Sequence, residues 1–324
     1  MMPSTVFDAE KMDPTEFGCV AVLMGGRSAE REISLVSGAA VLQGLLDAGV
    51  DAFALDVFGD QGREHILEQL QCQRIDTVFN MLHGGEGEDG TLAGVLKILE
   101  IPSTGSGMAA SALAMNKVHC KLVWQGAGLP TAPFRVLTAS SDWKTVTQEL
   151  GLPLMVKPGR EGSSIGMTKV EYAEDLQAAY ELAEKFDSLV IAEKWLRGRE
   201  FTVATLMGQM LPVIRLETER EFYDYQAKYI DDDTRYLIPS GLSVEKEGQI
   251  QEISLQAFEI IGCSGWGRVD LMEDEAGEFQ LLEVNTVPGM TGHSLVPMAA
   301  KAAGLDFSSL TLQILSTARM PGDE

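Results

Sequence analysis

The sequence is poor in cysteine and in positive charge, and each shortage excludes a class of protein. Its four cysteines lie far apart in the chain and show none of the Cys/His spacings typical of zinc sites. A disulfide framework is equally unfavoured, so the cysteines indicate a reducing, cytoplasmic environment. With 25 Lys and Arg against 48 Asp and Glu, the formal net charge is -23. Such a balance argues against a nucleic-acid surface and against docking on anionic lipid.

Long apolar runs are also missing. No segment approaches the roughly 18 apolar residues that a membrane-spanning helix needs. The N-terminal stretch "MMPSTVFDAEKMDPTEF" is acidic where a signal peptide would be basic and then apolar, and we expect residues 1–17 to be a mobile extension. The composition is that of a folded protein, 45% hydrophobic and 23% charged, and 324 residues are enough for two or three domains.

The first hundred residues alternate between strand-like and helix-like segments, as in a parallel α/β unit. The run "CVAVLMGG" predicts a strand and a tight turn, and "SAEREISLVSGAAVLQGLLDAG" predicts a helix with Ser28 as its N-cap and Gly49 as its stop. "DAFALDV" and "TVFNML" predict further strands. Ligands of such sheets bind beyond the carboxyl ends of the strands, where "GGRSAERE" and "HGGEGEDG" fall.

The segment "LLEVNTVPGM" begins like a buried strand but contains a carboxylate and an amide, Glu283 and Asn285. Strict alternation would turn both toward one face together with Leu281, and would turn Leu282 and Val284 toward the other. The strand therefore aims two polar side chains at one place.

A neighbouring strand supplies a second acid. Pairing of residues 266–273 with residues 279–285 would form a hairpin and bring Asp270 alongside Glu283 and Asn285. Two carboxylates and one amide oxygen are a ligand set that suits Mg²⁺. The residues alone leave open a second interpretation, in which Glu283 simply pairs with an Arg or Lys.

A candidate nucleotide site follows the strand "PLMVKP". Lys157 stands at the end of that strand, and the glycine- and serine-rich "GREGSSIG" comes next. Backbone N–H groups of such a loop can hold phosphate, although the spacing is not that of a Walker loop. With Lys117 and Lys194 as further cations, a nucleotide site is favoured over a simple flexible turn. His83, directly after "TVFNML", is open to either a structural or a catalytic role.

The motifs occur in an order that closely resembles the D-alanine–D-alanine ligases of the ATP-grasp superfamily. From about Val20 to the C-terminus they read "GGRSAEREISLVSG", "LHGGEGEDGT", "TGSG", "MNK", "VKPGREGSSIGM", "EKWLRGREFTV", "FYDYQAKY", "GWGRVDLM" and "LLEVNTVPGMTGHSLVPMAA". The resemblance implies an α/β fold, α+β overall, of three-domain ATP-grasp type with an N-terminal parallel α/β (pre-ATP-grasp) domain. We expect these domains at residues 18–105, 106–193 and 194–324.

The resemblance also implies an ATP site between the second and third domains. Lys117 and Lys157 match the phosphate-binding lysines, and Lys228 would reach the transferred phosphate. The matching adenine and ribose contacts are Glu193, Lys194, Leu196 and Glu200. The matching ligands of two Mg²⁺ or Mn²⁺ ions are Asp270, Glu283 and Asn285. A monovalent cation is a further cofactor that the resemblance allows.

Two D-alanines are expected between the first and third domains. Glu30 matches the carboxylate that anchors the first ammonium group, and it forms a triad with Ser163 and Tyr229 that closes the mobile loop. The matching oxyanion donors are Arg268 and the backbone N–H of Gly289. Further matching substrate contacts are His83, Tyr223, Ser294 and Leu295. No role is carried over to Glu86 or Glu88, because relatives differ there.

The chemistry implied is ligation for peptidoglycan precursor synthesis. ATP phosphorylates the first D-alanine carboxylate, the second amine attacks the acyl phosphate, and ADP and phosphate are released. Tyr229 matches the D-alanine-adding enzymes and predicts an amide product. The alternatives are a ligase for D-lactate or D-serine, another ATP-grasp carboxylate–amine ligase, or a catalytically silent nucleotide-binding protein. The resemblance further implies a cytoplasmic homodimer with neither nucleic acid nor membrane as partner.

Overall fold

The fold is built on three β-sheets that follow one another along the chain. A computed structural model describes residues 12–59, 65–162, 164–218 and 234–318. Within these ranges, no helix combines the length and the apolar character that crossing a membrane requires. The mixture of one parallel sheet with two antiparallel ones confirms the predicted α/β class.

The first sheet is parallel throughout, with strand order β2-β1-β3. Its strands are β1 (Val20–Gly25), β2 (Ala52–Val57) and β3 (Thr77–Asn80). Helix α1 (Arg31–Asp47) connects β1 to β2, and α2 (Ile66–Gln71) precedes β3. Parallel neighbours need such crossovers. The sequence predicted the helix of α1, whereas α2 was not predicted.

The start of α1 was predicted wrongly. The helix begins three residues after Ser28, with Glu30 at its N-cap and no side-chain cap. The Ser28 hydroxyl instead donates to the carbonyl oxygen of His83 at 2.6 Å and accepts the N–H of Glu30 at 3.1 Å. The predicted stop is confirmed, since Gly49 follows the C-cap with φ +83°, the left-handed conformation that commonly ends a helix.

Three helices lead from the first sheet to the second: α3 (Thr91–Ile98), α4 (Met108–Met115) and α5 (Lys117–Gly126). Asn116 separates α4 from α5, because its backbone is extended and its side chain accepts the N–H of His119 as the N-cap of α5. The cap fixes Lys117 as the first residue of α5.

The second sheet is antiparallel, with strand order β4-β7-β5-β6. Its elements are β4 (Phe134–Leu137), α6 (Trp143–Leu150), β5 (Leu154–Pro158), β6 (Thr168–Val170), α7 (Leu176–Ala183) and β7 (Val190–Lys194). Apolar side chains of α6 and α7 pack with those of the strands in one cluster. One face of this sheet is thereby covered by helices.

The third sheet is also antiparallel, with order β11-β10-β8-β12-β13 and β9 beside β8. Its strands are β8 (Glu200–Leu206), β9 (Gln209–Met210), β10 (Ile214–Glu217), β11 (Arg235–Leu237), β12 (Trp266–Glu273) and β13 (Phe279–Asn285). The helices of this region are α8 (Val244–Ile260), α9 (Leu295–Ala302) and α10 (Phe307–Leu315).

The first and third regions share one apolar core. Side chains of β1 and α1 cluster with β8 and with the C-terminal helices, for example Val22, Val41, Leu206, Ala299 and Leu310. Each buried Val or Leu side chain contributes about 1.5–3 kcal/mol, so the shared core holds the two regions in a fixed relation. The domain boundaries given above stay predictions.

One local prediction fails at β13, although the hairpin itself is confirmed. Asp270 pairs with Glu283, but the next pair is Leu271 with Leu281, so Leu282 is an extra residue in a β-bulge. Because a bulge breaks the alternation of faces, Leu281 enters the core and is fully buried. Leu282 instead lines the same cavity as Glu283.

Candidate functional site

Two cavities meet at the edge of the third sheet. The larger has a volume of about 500 Å³ and lies between the second and third sheets. The smaller, about 100 Å³, lies between the first region and the third. Both are lined by Lys117, Glu283 and Leu295. A molecule in one cavity therefore adjoins a molecule in the other.

The larger cavity gathers the residues expected to contact ATP. Six of them line it: Lys117, Lys157, Glu193, Lys194, Leu196 and Glu200. They come from α5, β5, β7, the connection between β7 and β8, and the start of β8, which explains why residues far apart in sequence meet there. The seventh, Lys228, lies outside the described residues. What each does with ATP stays a prediction.

A buried cluster of three charges stands at the inner wall of the larger cavity. Lys157 Nζ donates to Glu193 Oε1, and Lys121 Nζ lies 3.0 Å from Glu193 Oε2. Burial alone would raise the pKa of Glu193, but the charges of Lys121 and Lys157 outweigh it and lower that pKa to about 2. Burial lowers the pKa of Lys121, and the Glu193 charge opposes that shift. We take Lys121 as protonated at neutral pH because it touches an ionised carboxylate.

The predicted metal ligands lie on paired positions of β12 and β13. Asp270 is directly opposite Glu283, and Arg268 is directly opposite Asn285. Asp270 accepts the hydroxyl of Thr202 at 2.6 Å, and it accepts Arg268 Nε and Nη2 at 2.8 and 2.7 Å. These bonds hold Asp270 in place and supply positive charge beside it.

Glu283 pairs with a lysine, the alternative that the residues left open. Lys117 Nζ lies 3.2 Å from Glu283 Oε2 and donates to the carbonyl oxygen of Glu161 at 2.8 Å. Burial would lower the pKa of Lys117, but the charges of Glu283 and Glu193 outweigh it and raise the pKa. The pair marks the boundary between the two cavities.

The donor set fits Mg²⁺ or Mn²⁺ through oxygen atoms. Across the described ranges, no three His, Cys, Asp or Glu side chains converge as a ready-made metal cluster. Asp270, Glu283 and the amide oxygen of Asn285 would thus hold an ion only together with water and substrate oxygens. Mg²⁺ is commonly held in that way, by one or two carboxylates and phosphates.

The smaller cavity gathers the residues expected to bind D-alanine. Those that line it are Glu30, His83, Arg268, Gly289, Ser294 and Leu295. Ser163, Tyr223 and Tyr229 lie outside the described residues. Gly162, the residue before Ser163, also lines the cavity, and a Cβ atom added to it would lie 2.9 Å from Glu30 Oε2. Gly162 therefore approaches Glu30 closely.

His83 holds the loop after β13. Its Nδ1 lies 2.9 Å from the carbonyl oxygen of Val287, and its Nε2 lies 3.2 Å from Ser37 Oγ. Burial and the charge of Arg268 lower the pKa of His83 to about 4, although the Val287 carbonyl opposes the shift. The ring is thus neutral at neutral pH, and the carbonyl acceptor fixes its proton on Nδ1.

Ser37 completes this contact and was missed in the sequence. Its hydroxyl oxygen accepts the N–H of Met290 at 3.2 Å, so it joins His83 to the residue after Gly289. Ser37 follows Glu30 by seven residues, which places the two side chains on one face of α1. That spacing could have identified it.

Gly289 has little room for a side chain. A Cβ atom there would lie 3.0 Å from Ser294 Oγ, closer than ordinary van der Waals contact. The Ser294 hydroxyl is itself held in place, because it accepts the N–H of Thr291 at 2.9 Å. The missing side chain leaves the Gly289 main chain open to the cavity it lines.

Glu88 lines the smaller cavity, although no role was predicted for it. It accepts the N–H of Gly84 at 2.9 Å. Burial and the charge of Glu30 raise the pKa of Glu88 to about 8, and Glu283 adds to the shift. The raised pKa favours the protonated form of Glu88, which presents an O–H donor among carboxylates.

Comparison with known proteins finds the same likeness along nearly the whole chain. The family model described as "D-ala D-ala ligase C-terminus" matches residues 123–316, and "D-ala D-ala ligase N-terminus" matches residues 59–106. A D-alanine–D-alanine ligase from Ectopseudomonas mendocina is 56% identical over 305 residues, which cover 94% of this chain and 96% of that protein.

Solved structures give the same result for the fold. A D-alanine–D-alanine ligase from Bacillus anthracis matches with a TM-score of 0.81 at 34% identity, covering 92% of this chain and 96% of that one. Its complex with ATP matches with a TM-score of 0.80 at 31% identity and the same coverage. The VanG D-Ala:D-Ser ligase from Enterococcus faecalis matches with a TM-score of 0.80 at 30% identity, covering 92% and 98%.

Proposed function

The chain belongs to the D-alanine–D-alanine ligase family, and we propose that it joins two D-alanines into D-alanyl-D-alanine with ATP as the phosphate donor. The observation that carries the proposal is the junction of two cavities at Lys117 and Glu283. Ligation needs a nucleotide and an amino acid to touch at one point, and this junction is such a point.

The larger cavity binds ATP in this proposal. Lys157 and Lys117 place two ammonium groups along its wall for the phosphates, and cations must already be in position when charge develops on the transferring phosphoryl group. Lys194, Leu196 and Glu200 take the adenine and ribose by resemblance. Lys228 reaches the transferred phosphate from the segment that the structure does not describe.

Asp270, Glu283 and Asn285 hold two Mg²⁺ or Mn²⁺ ions in this proposal, which would neutralise phosphate charge when bound. Thr202 and Arg268 keep the Asp270 carboxylate oriented. Lys117 Nζ lies 3.2 Å from Glu283 Oε2 and places a positive charge beside it at the junction.

The smaller cavity binds the two D-alanines in this proposal. Glu30 receives the ammonium of the first, and Ser163 and Tyr229 close the loop over it. Arg268 and the main chain of Gly289 donate to the oxyanion that forms when the second amine attacks. His83 and Ser37 hold the loop that carries Gly289, so they position the donor without bonding to substrate. Ser294 and Tyr223 contact the substrates by resemblance.

The second substrate separates the main function from its nearest alternative. A relative that is 56% identical over 94% of this chain is a D-alanine–D-alanine ligase, and this supports D-alanine as the second substrate over D-serine. Tyr229 supports the same choice by resemblance, because it matches the D-alanine-adding enzymes. We infer D-alanine, with an amide product that serves peptidoglycan precursor synthesis.

We also propose that the chain acts as a homodimer in the cytoplasm, where ATP is at hand. The four cysteines support a reducing environment, since each is a free thiol in the structure. The three-domain division at residues 105 and 193 belongs to the same proposal and is supported by the succession of three sheets.

Phosphate release from ATP tests the function directly. We expect release with D-alanine, little with L-alanine, and no D-lactate ester when D-alanine and D-lactate are supplied together. The dipeptide is identified by mass. Equal release with L- and D-alanine would contradict the assignment, and a D-seryl or D-lactyl product at comparable kcat/KM would favour the alternative.

A further inference from the structure

We propose that Lys121, which is buried behind Glu193 and out of reach of a nucleotide, determines the net charge of the ATP cavity by neutralising the carboxylate of Glu193. Lys157 on the opposite side of Glu193 then keeps a positive charge for the triphosphate. The inference rests on the proposed function, because it takes the larger cavity as the ATP site.

The position of Lys121 excludes direct contact with a ligand in that cavity. Its side chain is fully buried, whereas Lys157 and Glu193 line the cavity. Lys121 Nζ lies 3.0 Å from Glu193 Oε2 and donates to Thr131 Oγ1 at 2.7 Å. The Phe134 ring lies 5.8 Å from the same Nζ. Lys121 can therefore act on a nucleotide only through Glu193.

The charges of the cluster decide what Lys157 offers to an anion. Two ammonium groups and one carboxylate leave a net charge of +1. Without Lys121, the carboxylate of Glu193 would face Lys157 alone, and the pair would be neutral. A neutral pair attracts a triphosphate much less than a net positive group does, and the difference is large in a buried site where water screens poorly.

The same cluster is unlike a purely structural ion pair. A buried ammonium group is expensive to desolvate, and apolar residues of similar volume often serve stability as well or better. Lys121 is nevertheless anchored further, because Thr131 Oγ1 donates to the carbonyl oxygen of Leu281 in β13 at 2.8 Å. The lysine thus sits between the adenine strand β7 and the strand that carries Glu283.

The test compares nucleotides that differ in phosphate charge. Dissociation constants of ATP, ADP and adenosine are measured by calorimetry on the full chain, for the wild type, Lys121→Met and the control Trp124→Phe. Trp124 lies in the same helix, is fully buried and donates to Ala257, away from Glu193. We expect Lys121→Met to weaken ATP about tenfold or more and adenosine by less than about twofold, with ADP between them.

A double variant tests the charge account itself. Lys121→Met with Glu193→Gln restores the net charge of +1 to the cluster. We expect it to recover most of the ratio of ATP affinity to adenosine affinity that Lys121→Met loses. ATP and adenosine share the adenine and ribose groups, so a change in the contacts to those groups affects both affinities and cancels in the ratio. The double variant also leaves no unpaired buried carboxylate, so it remains informative if Lys121→Met folds poorly.

Equal weakening of ATP and adenosine in Lys121→Met would overturn the inference and leave Lys121 a structural residue. A double variant whose ratio of ATP affinity to adenosine affinity stays as low as that of Lys121→Met would overturn the charge account as well. These results differ from a failure of the proposed function, which would be a wild type that binds ATP but forms no dipeptide from D-alanine.

Discussion

Lys117 Nζ lies 3.2 Å from Glu283 Oε2, and this contact joins the N-terminal end of α5 to β13, which carries two of the predicted metal ligands. Both side chains line both cavities. A phosphoryl group of a nucleotide in the larger cavity can therefore be transferred to a carboxylate of a molecule in the smaller cavity while both molecules stay bound. Charge neutralisation of Glu283 by Lys117 also explains how an acid is tolerated there.

Glu283→Gln should fold and yet lose most activity, because an amide keeps the shape but not the charge that a divalent ion needs. We expect kcat for phosphate release to fall at least about a hundredfold. Glu278→Gln is the matched control, since it removes an exposed acid from the turn of the same hairpin. Full activity of Glu283→Gln would return Glu283 to a structural role as the partner of Lys117.

Gly289→Ala should lower kcat while ATP affinity stays unchanged. The added Cβ would meet Ser294 Oγ at 3.0 Å, so Ser294 or the loop must give by a few tenths of an ångström, and we expect the Gly289 N–H to be displaced from the oxyanion. We expect a loss of about tenfold to a hundredfold, since an oxyanion donor contributes that much or more. Gly292→Ala in the same loop is the control, because a Cβ there meets nothing within 4 Å. Equal kcat in both variants would count against the donor role.

His83 should make folding sensitive to acid. Its pKa is lowered from 6.5 to about 4 in the folded state, so the folded chain binds fewer protons there than the unfolded chain. The contribution of neutral His83 is complete above about pH 6.5 and is lost as the pH falls toward 4, by about 3 kcal/mol in all.

His83→Asn tests this by chemical denaturation without ligands at pH 7 and pH 4.5. The wild type should lose more unfolding free energy than the variant over that interval. His119→Asn, at an exposed histidine, is the control and should follow the wild type. Parallel pH profiles of the wild type and His83→Asn would show that the burial of His83 does not shift its titration.

Tyr229→Phe should weaken the use of D-alanine relative to D-lactate. The expectation rests on the resemblance, since Tyr229 lies outside the described residues. The measurement is the ratio of the two kcat/KM values for the second substrate, and we expect it to fall about tenfold or more. Tyr236→Phe in β11 serves as the control. An unchanged ratio in Tyr229→Phe would refute the role.

The sequence alone predicted the α/β class, the parallel first sheet and the hairpin that pairs Asp270 with Glu283. Such features depend on local periodicity and on segments that are neighbours in the chain, which a strand pattern records directly. The likeness of its motifs carried the prediction further, to the family and to the residues of both cavities. Roles that depend on bound substrate remain predictions.

The tertiary structure decided what local pattern does not record. The bulge at Leu282 moved Leu281 into the core, because packing against neighbouring elements selected it over strict alternation. The contacts of His83 with Ser37 and of Lys121 with Glu193 join residues far apart in sequence. Their partners were fixed only when three sheets packed together, since burial and charge balance are properties of the assembled site.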